Sequence, residues 1–542
     1  MKGMNKMQGA KCAGGRDRAS GMRGHGGEGR PAGRSAAFLL VVLLGVFGVC
    51  GFASGWAQQT RPENGVKGSF SLAGDWSGSL KFGAASLKIV FHVTAAGTEY
   101  SATMDSPDQG ARGIPISAVR IDGKNVTFEV AAVGGHYRGT LNESGESIEG
   151  TWKQSGLSLP LDLTRQPAQT TQVPAETPQE PSHEARGGDE PSSPFPYIAK
   201  DVEFADEKIC IRLAGSLTIP EGKGPFPAVV LVSGSGPQNR DEEILGHKPF
   251  LVLADYLARC GIATLRYDDR GVGGSTGNFQ TATTFDFVDD AQVALDFLAE
   301  QPEVDARRVG VIGHSEGAIV ASILAARGAK DEQNSDENSK ANAKVAFIVL
   351  LAGPGVQGDE LLLLQNTALG RAFGLSDEQI SEANRLNREL YSIAMSSEED
   401  AAMLRTKLVE TLADALNSTS DLTEQQKHAQ RVQAQAQADQ LLSPWMRTFL
   451  ALDPSEYLRK VRVPVLALSG SKDLQVPARE NLAAIAEALK AAGNTAATLI
   501  ELEGLNHLFQ HAATGLPSEY GEIRETFAPE ALQHISDWIL NL

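Results

Sequence analysis

Cysteine is scarce in this chain, with four residues in 542, and two of these, Cys12 and Cys50, lie within the first 57 residues. The other two, Cys210 and Cys260, precede different predicted elements of secondary structure. The sequence therefore predicts no disulfide framework.

The chain also lacks an excess of positive charge. Its formal net charge is −18, and the first 57 residues hold eight Lys or Arg against two Asp or Glu, so the rest is more acidic still. An acidic body of this kind excludes nucleic acid as an expected partner.

The chain has no long apolar run, since the longest, residues 36–49, is too short for a confident membrane span. Arg30 and Arg34 precede it and small residues follow it as far as Ala57, which is typical of a signal peptide over residues 1–57. We therefore expect an exported protein, periplasmic or at the cell surface. Two alternatives are an uncleaved N-terminal membrane anchor and lipidation at Cys50, against which the bulky Val49 argues.

Residues 66–165 alternate apolar and polar side chains in short stretches separated by Gly, Asn and Asp. This pattern predicts a small antiparallel all-β domain of about eight strands, a barrel or a sandwich. Trp76 and Trp152 are interpreted as core residues, with an aromatic surface for a glycan or lipid ligand as the alternative. His92 and His136 have no partners at metal-binding spacing, and no metal site is predicted.

Residues 166–196 form a predicted linker, with six prolines between positions 167 and 194 and almost no apolar residues. The two flanking domains should therefore fold independently.

From residue 197 to 542 strand and helix patterns alternate, which predicts a largely parallel sheet covered by helices on both faces. The insertion at 354–459 is helical and rich in charge, and we expect it to form a cap over the active-site edge. The predicted strands are residues 209–219, 228–232, 262–267, 308–312, 345–351, 463–468 and 498–502.

Residues 313–317 read GHSEG, a G-x-S-x-G sequence between the strand at 308–312 and a helical pattern ending at 327. Glycines at both ends allow a sharp strand-to-helix turn that exposes Ser315. The turn leaves the backbone N–H of Glu316 at a helix N-terminus, where it can stabilise an oxyanion. His314 is predicted to pack or to position its neighbours rather than to react.

Two further residues follow predicted strands, Asp473 after 463–468 and His507 after 498–502. The carboxyl ends of parallel strands share one edge of the sheet, so both can converge with Ser315. The order Ser, Asp, His is that of the α/β-hydrolase fold. The expected roles are nucleophile for Ser315, base for His507 and orienting acid for Asp473, with the N–H of Ser235 as a second oxyanion donor.

Four short phrases of the hydrolase region recur together in one known family: SGSGP at 233–237, GHKPF at 246–250, RYDDRG at 266–271 and GHSEG at 313–317, and the match resumes at 463–473 and at His507. On these phrases the region resembles the α/β-hydrolase carboxylesterases of the bacterial group related to the Thermotoga esterase EstD. That resemblance implies hydrolysis of short-acyl carboxylic esters without a cofactor, and the β-rich segment looks like the accessory domain found ahead of such hydrolases.

The cap should shape the acyl pocket, with Trp445, Met446 and Phe449 as candidate pocket residues; the alternative is that they form the cap's own core. The favoured interpretation is an exported serine carboxylesterase acting on small-molecule esters. A serine aminopeptidase-like peptidase is one alternative, with 398–400 as an acidic cluster for a free α-amino group. An envelope-binding protein in which the β-domain carries the main role is the other.

Overall fold

The computed structural model describes residues 71–82, 85–96, 99–106, 111–130, 135–154, 157–166, 190–191, 194–328, 343–397, 400–416 and 424–542. The predicted signal peptide at 1–57 and nearly all of the predicted linker lie outside these residues, so both stay predictions, as do the exact domain boundaries. Within the described part of the chain, no helix is both long enough and apolar enough to span a membrane.

The β-rich segment forms one antiparallel sheet of ten strands, a half-barrel, with the order β4-β3-β2-β1-β10-β8-β7-β6-β5 and β9 beside β8. This is two strands more than expected, and the single sheet excludes a two-sheet sandwich. The strands are β1 Gly74–Phe82, β2 Ala85–Ala96, β3 Glu99–Ser106, β4 Ala111–Pro115, β5 Ala118–Asp122, β6 Asn125–Val130, β7 Gly135–Leu141, β8 Ser147–Gln154, β9 Leu157–Pro160 and β10 Leu163–Arg165.

Aromatic side chains fill the concave face of this sheet. Phe91 stacks on Phe128 with ring centroids 4.6 Å apart, and Tyr137 lies 5.7 Å from both rings. Trp76 and Trp152 are buried in the same cluster. Their burial agrees with the interpretation of both tryptophans as core residues, and neither ring is available to an aromatic ligand surface.

The second domain contains an eight-stranded sheet with the order β11-β12-β14-β13-β15-β16-β17-β18. Pairing is parallel from β14 to β18, while β12 runs antiparallel to both β11 and β14. This order and direction are those of the α/β-hydrolase fold, so the predicted fold class is confirmed. The strands are β11 Tyr197–Asp206, β12 Ile211–Pro220, β13 Phe226–Val232, β14 Ala263–Tyr267, β15 Val304–His314, β16 Ile348–Leu351, β17 Val465–Gly470 and β18 Ala497–Leu502.

Helices cover both faces of this sheet, as the buried clusters show. On one face α1 (Pro249–Arg259) and α12 (Pro529–Leu540) pack against it, and on the other α2 (Thr284–Ala299), α3 (Glu316–Gly328) and α10 (Ala478–Ala491). Buried apolar side chains therefore lie on both sides of the central strands, which explains their continuous apolar sequence.

Among the residues that the structure describes, six helices follow one another between β16 and β17. Leu361, Met446, Phe449 and Leu450 from these helices are buried in the same apolar cluster as α3, so the cap region is joined to the hydrolase core. A second, smaller cluster formed by Leu390, Leu408 and neighbours belongs to the cap alone. The helices are α4 Gly358–Ala372, α5 Asp377–Met395, α6 Ala401–Leu416, α7 Glu424–Leu441, α8 Pro444–Ala451 and α9 Pro454–Leu458; the short α11, Pro517–Tyr520, follows β18.

Candidate active site

Ser315 lies in the tight turn between β15 and α3. Its φ of 53° is in the left-handed region that residues with a side chain rarely adopt. A Cβ on Gly313 would lie 2.0 Å from the carbonyl oxygen of Gly317, and one on Gly317 would lie 2.1 Å from that of Val232. The two glycines therefore permit the close approach of strand and helix that the strained serine requires, as the sequence pattern indicates. The predicted exposure of Ser315 is wrong: the residue is only 4% exposed, because the loop after β13 packs against the turn.

Asp473 and His507 meet at the same edge of the sheet. His507 follows β18 and Asp473 follows β17, and the two strands pair in parallel from Val465 and Ala497 to Gly470 and Leu502. Nδ1 of His507 lies 2.8 Å from Oδ2 of Asp473, and both side chains are buried. Oδ1 of Asp473 accepts backbone hydrogen bonds from Gln475 and Val476, each of 2.8 Å. The carboxylate is thereby fixed with one oxygen left for the imidazole.

The Ser315 hydroxyl makes no hydrogen bond with His507 among the described residues, although His507 contacts the segment that carries it. The ring of His314, immediately before Ser315, lies 4.7 Å from the ring of His507. Catalytic hydrogen bonds are often long before substrate binds, so this geometry does not oppose proton transfer. The triad roles of Ser315, Asp473 and His507 stay predictions.

His511, the other histidine close to His507 in sequence, does not approach Asp473. Its Nδ1 lies 2.9 Å from Glu525 and its Nε2 lies 2.9 Å from Glu530, and its side chain is 55% exposed. Of the two histidines, His507 is thus the one with the environment of a general base.

The loop after β13 borders the turn that carries Ser315. The N–H of Gly234 donates to Oε1 of Glu242 at 2.7 Å and is therefore occupied. Glu316 is the first residue of α3, where backbone N–H groups have no partner within the helix. The N–H groups of Ser235 and Glu316 remain the candidate oxyanion donors, and this assignment stays a prediction.

The side chain of Glu316 has a separate and unexpected set of contacts. Its carboxylate accepts hydrogen bonds from Thr284 Oγ1 at 2.6 Å and from Trp445 Nε1 at 2.9 and 3.1 Å. Burial raises the pKa of Glu316 to about 7, although these two hydrogen bonds lower it in part. A carboxyl group that titrates near neutral pH therefore connects the helix after Ser315 to the cap.

A small cleft lies beside this turn. The polar side chains in its lining are already partnered. Asp269 accepts from the backbone N–H of Gln238 at 2.9 Å and from Ser233 Oγ at 3.0 Å. Asp290 pairs with Arg270 at 2.7 and 2.8 Å. The residues lining it are Val232, Ser233, Gly234, Tyr267, Asp269, Phe287, Asp290, Glu316 and Val320.

Asp268 and Arg270 make ion pairs beside the strand that they follow. Asp268 receives hydrogen bonds from the guanidinium of Arg240 at 3.1 and 2.9 Å and from the N–H of Gly274 at 3.0 Å. Arg270 binds two carboxylates of α2, Asp286 and Asp290. These ion pairs fix the loop that follows β14.

The three candidate pocket residues occupy different environments. Trp445 is half-buried, donates to Glu316 and stacks on Phe449 with ring centroids 5.2 Å apart. Met446 and Phe449 are buried in the core cluster that joins the cap to α3. None of the three borders the described cleft, so their assignment to the acyl pocket stays a prediction, and Trp445 is the one that touches a site residue.

His314 is held from both sides of its ring. Nδ1 lies 2.8 Å from Oε1 of Glu242, and Nε2 lies 2.9 Å from the backbone carbonyl oxygen of His507. Sequence patterns do not indicate the partnership with Glu242, because the two residues are 72 positions apart. The contacts agree with a positioning role for His314 and single out Glu242 as a site residue that the sequence reasoning missed.

Among the described residues, no group of three or more His, Cys, Asp or Glu side chains is arranged to hold a metal ion. Cys210 and Cys260 are both free thiols.

One curated relative, the esterase EstD of Thermotoga maritima, is 35% identical to this chain over 192 residues. The match spans 34% of this chain and 42% of the relative, so the chain spans less than half of that relative's length. It confirms the resemblance that the sequence motifs indicate.

Two solved structures match this chain at low similarity. A Pyrococcus furiosus esterase matches with a TM-score of 0.35 and 16% identity, over 64% of this chain and 91% of that one. Est1E from Butyrivibrio proteoclasticus matches with a TM-score of 0.34 and 16% identity, over 63% of this chain and 98% of that one.

A family model described as X-Pro dipeptidyl-peptidase (S15 family) matches residues 206–512, which is more than half of the chain. The matched region contains the turn at Ser315, the Asp473–His507 pair and the cap. The chain is therefore a member of the S15 family, built on the α/β-hydrolase fold.

Proposed function

We propose that this protein is a serine hydrolase that cleaves small carboxylic esters through an acyl-enzyme intermediate. The observation that carries the proposal is the buried contact of 2.8 Å between His507 and Asp473 at the sheet edge that also holds Ser315. The identity to an esterase over 192 residues supports an ester as the substrate class.

In the proposed reaction Ser315 Oγ attacks the ester carbonyl carbon while Nε2 of His507 takes the hydroxyl proton. Asp473 accepts the Nδ1–H of His507, which orients the ring and stabilises the imidazolium. The N–H groups of Glu316 and Ser235 donate to the oxyanion of the tetrahedral intermediate. His507 then gives its proton to the departing alkoxide, leaving Ser315 acylated.

The second half-reaction uses the same groups with water in place of the serine hydroxyl. His507 takes a proton from water, which attacks the acyl carbon, and returns a proton to Ser315 Oγ as the carboxylic acid leaves. A short acyl chain is proposed because the sequence motifs resemble those of short-acyl carboxylesterases.

The test is steady-state and burst-phase release of p-nitrophenol from acetate, butyrate and octanoate esters. We expect turnover that prefers the short chains and falls by at least 10³-fold in Ser315→Ala. Ser322→Ala is the matched control, since it removes a buried serine two turns along the same helix that donates only to Ala318. Equal activity in wild type and Ser315→Ala would refute the assignment.

A peptidase is the second candidate, because the matching family model is described by a dipeptidyl-peptidase activity. Binding a free α-amino group would require an available carboxylate near Ser315. The nearby carboxylates already have partners, since Glu316 and Asp269 accept hydrogen bonds and Asp290 forms an ion pair. Glu398 and Glu399 of the predicted acidic cluster lie outside the described residues. A rate comparison between p-nitrophenyl butyrate and an X-Pro p-nitroanilide decides between ester and peptide.

Export to the periplasm or cell surface, membrane association through the N-terminal segment, and a glycan or lipid ligand of the β-domain stay predictions. The burial of Trp76 and Trp152 gives the last of these no support. We therefore propose the hydrolase domain, and not the β-domain, as the carrier of the main function.

A further inference from the structure

Glu242 and His314 are buried beside the candidate catalytic residues. Between them they contact the loop after β13, called here the oxyanion loop, and the loop that carries His507. Oε1 of Glu242 accepts from the N–H of Gly234 in the candidate oxyanion loop at 2.7 Å, and Nδ1 of His314 lies 2.8 Å from the same oxygen. Nε2 of His314 reaches the carbonyl oxygen of His507 at 2.9 Å. One pair of side chains thus connects the loop after β13, the turn after β15 and the loop after β18.

The acceptors around the imidazole indicate its charge. A backbone carbonyl oxygen only accepts, and Oε1 of Glu242 already accepts from Gly234, so both nitrogens of His314 are best satisfied as N–H donors. Burial by itself lowers the pKa of His314, but the charge of Glu242 and the hydrogen bonds to Glu242 and His507 raise it above its ordinary value. An imidazolium paired with a carboxylate fits both observations.

Burial makes this pair hard to replace. The side chains of His314 and Glu242 are 6% and 2% exposed, so removal of either partner leaves a buried charge without its counter-charge. Glu242 also has a φ of 51°, a conformation that costs energy in a residue with a side chain and that the surrounding contacts must hold.

The position of the pair relative to Ser315 gives it a chemical consequence. A Cβ placed on Gly234 would lie 3.2 Å from Glu242 Oε1 and 3.2 Å from Ser315 Cβ, so the carboxylate is close to the nucleophile. An unpaired carboxylate there would oppose the negative charge that develops on the substrate oxygen. The cation on His314 offsets this repulsion while Glu242 holds the oxyanion loop.

We propose that Glu242 and His314 are positioning residues that act as a buried ion pair, fixing the oxyanion loop and the loop of His507 for the transition state. The expected effect on ester turnover rests on the proposed function. The structural content of the proposal, a doubly protonated His314, does not depend on any activity.

The first experiment measures that protonation state in the full chain. The chain is labelled with ¹⁵N-histidine, and the ring signals are followed from pH 6 to 9, with His314 assigned by its absence in His314→Gln and by its slowly exchanging ring protons. Two protonated ring nitrogens at neutral pH are expected. A neutral His314 ring at pH 6 would overturn the proposal, whether or not the protein hydrolyses esters.

The second experiment compares Glu242→Gln and His314→Gln with the wild type on p-nitrophenyl butyrate. A misplaced oxyanion loop affects the transition state more than the bound ester, so we expect kcat to fall by about tenfold to a thousandfold with KM changed less than threefold. His511→Gln is the matched control, because it removes an exposed histidine from a His–Glu pair and should leave kcat within twofold.

The outcomes separate the two proposals. If Ser315→Ala leaves hydrolysis intact, the proposed function fails, and the protonation of His314 still tests the ion pair. If Ser315→Ala abolishes turnover but Glu242→Gln keeps kcat within twofold of wild type, the function stands and the positioning role is wrong. If both variants fail to fold, the ring signals of the wild type decide, with His314 assigned through its ring contact with His507 at 4.7 Å.

Discussion

Trp445, in the cap, donates its indole N–H to both carboxylate oxygens of Glu316, the residue that follows the candidate nucleophile. The contact joins residues 129 positions apart in the sequence. The backbone N–H of Glu316 is a candidate donor to the oxyanion, while its side chain binds the cap. One residue therefore connects the proposed oxyanion site to the cap.

The first prediction concerns pH and stability. Burial raises the pKa of Glu316 from its ordinary 4.5 to about 7, so the folded state holds a proton that the unfolded state releases between these values. This contribution to stability is complete below pH 4.5 and is lost as the pH rises to about 7, by roughly 3 kcal/mol in total. Urea unfolding of wild type and Glu316→Gln at pH 4.5, 6 and 8 measures it.

The glutamine variant keeps an oxygen acceptor for Trp445 and Thr284 but does not titrate. Relative to wild type, it should therefore become more stable as the pH rises from 4.5 to 8. A difference between the two proteins that stays constant over this range would contradict the assigned pKa.

The second prediction concerns the hydrogen bond from the cap. Trp445→Phe keeps a ring to stack on Phe449 but removes the N–H donor, which leaves the buried carboxylate with a weaker set of partners. We expect a loss of about 1–3 kcal/mol in the free energy of unfolding at pH 8.5, and less at pH 5.5, where Glu316 is protonated. A double-mutant cycle with Glu316→Ala, which removes the acceptor, isolates the coupling, and a coupling below about 0.3 kcal/mol at pH 8.5 would be inconsistent with this hydrogen bond.

The third prediction concerns the turn that carries Ser315. Gly317→Ala places a Cβ 2.1 Å from the carbonyl oxygen of Val232, so helix and strand must separate. We expect loss of at least about 3 kcal/mol of stability and of measurable hydrolysis. Gly328→Ala, at the other end of the same helix, meets no atom within 4 Å and should retain wild-type stability and activity. Soluble yield, thermal melting and ester turnover are the measurements.

The fourth prediction concerns the partner of His507. In Asp473→Asn the amide oxygen can accept the backbone hydrogen bonds from Gln475 and Val476, which turns the NH₂ group toward Nδ1 of His507. That nitrogen must then accept, and the proton moves to Nε2, where the base is needed. We expect kcat to fall by about 10³–10⁴-fold with melting changed by only a few degrees. Retention of more than a tenth of wild-type kcat would count against this role.

The sequence predicts those parts of the site that rest on local patterns. The glycines around Ser315 fix a turn within a few residues, and Asp473 and His507 each follow a short apolar strand whose parallel neighbours bring them together. The contacts Glu242–His314 and Trp445–Glu316 have no such pattern, because their partners are 72 and 129 positions apart and meet only through the packing of loops and cap.

The fold shows the same division. Strands β13 and β16 are continuous apolar runs, and strands β13 to β17 are all predicted within a few residues. Strand β11, Tyr197–Asp206, is absent from the prediction because most of its side chains are exposed and it is defined by pairing with β12. The turn between β11 and β12 contains Cys210 at a φ of 51°. Cysteine is not a residue type that predicts a positive φ, so the sequence does not indicate this turn.

The register between β16 and β17 determines how the cap can vary without disturbing the sheet. Ile348 pairs with Val465 and Leu351 with Leu468, so the chain leaves the sheet at one strand and returns at its immediate neighbour. The whole cap is thus an insertion between two neighbouring, directly paired strands. Its length can change without altering the pairing of β16 with β17, so insertions there leave in place the strands that precede Ser315, Asp473 and His507.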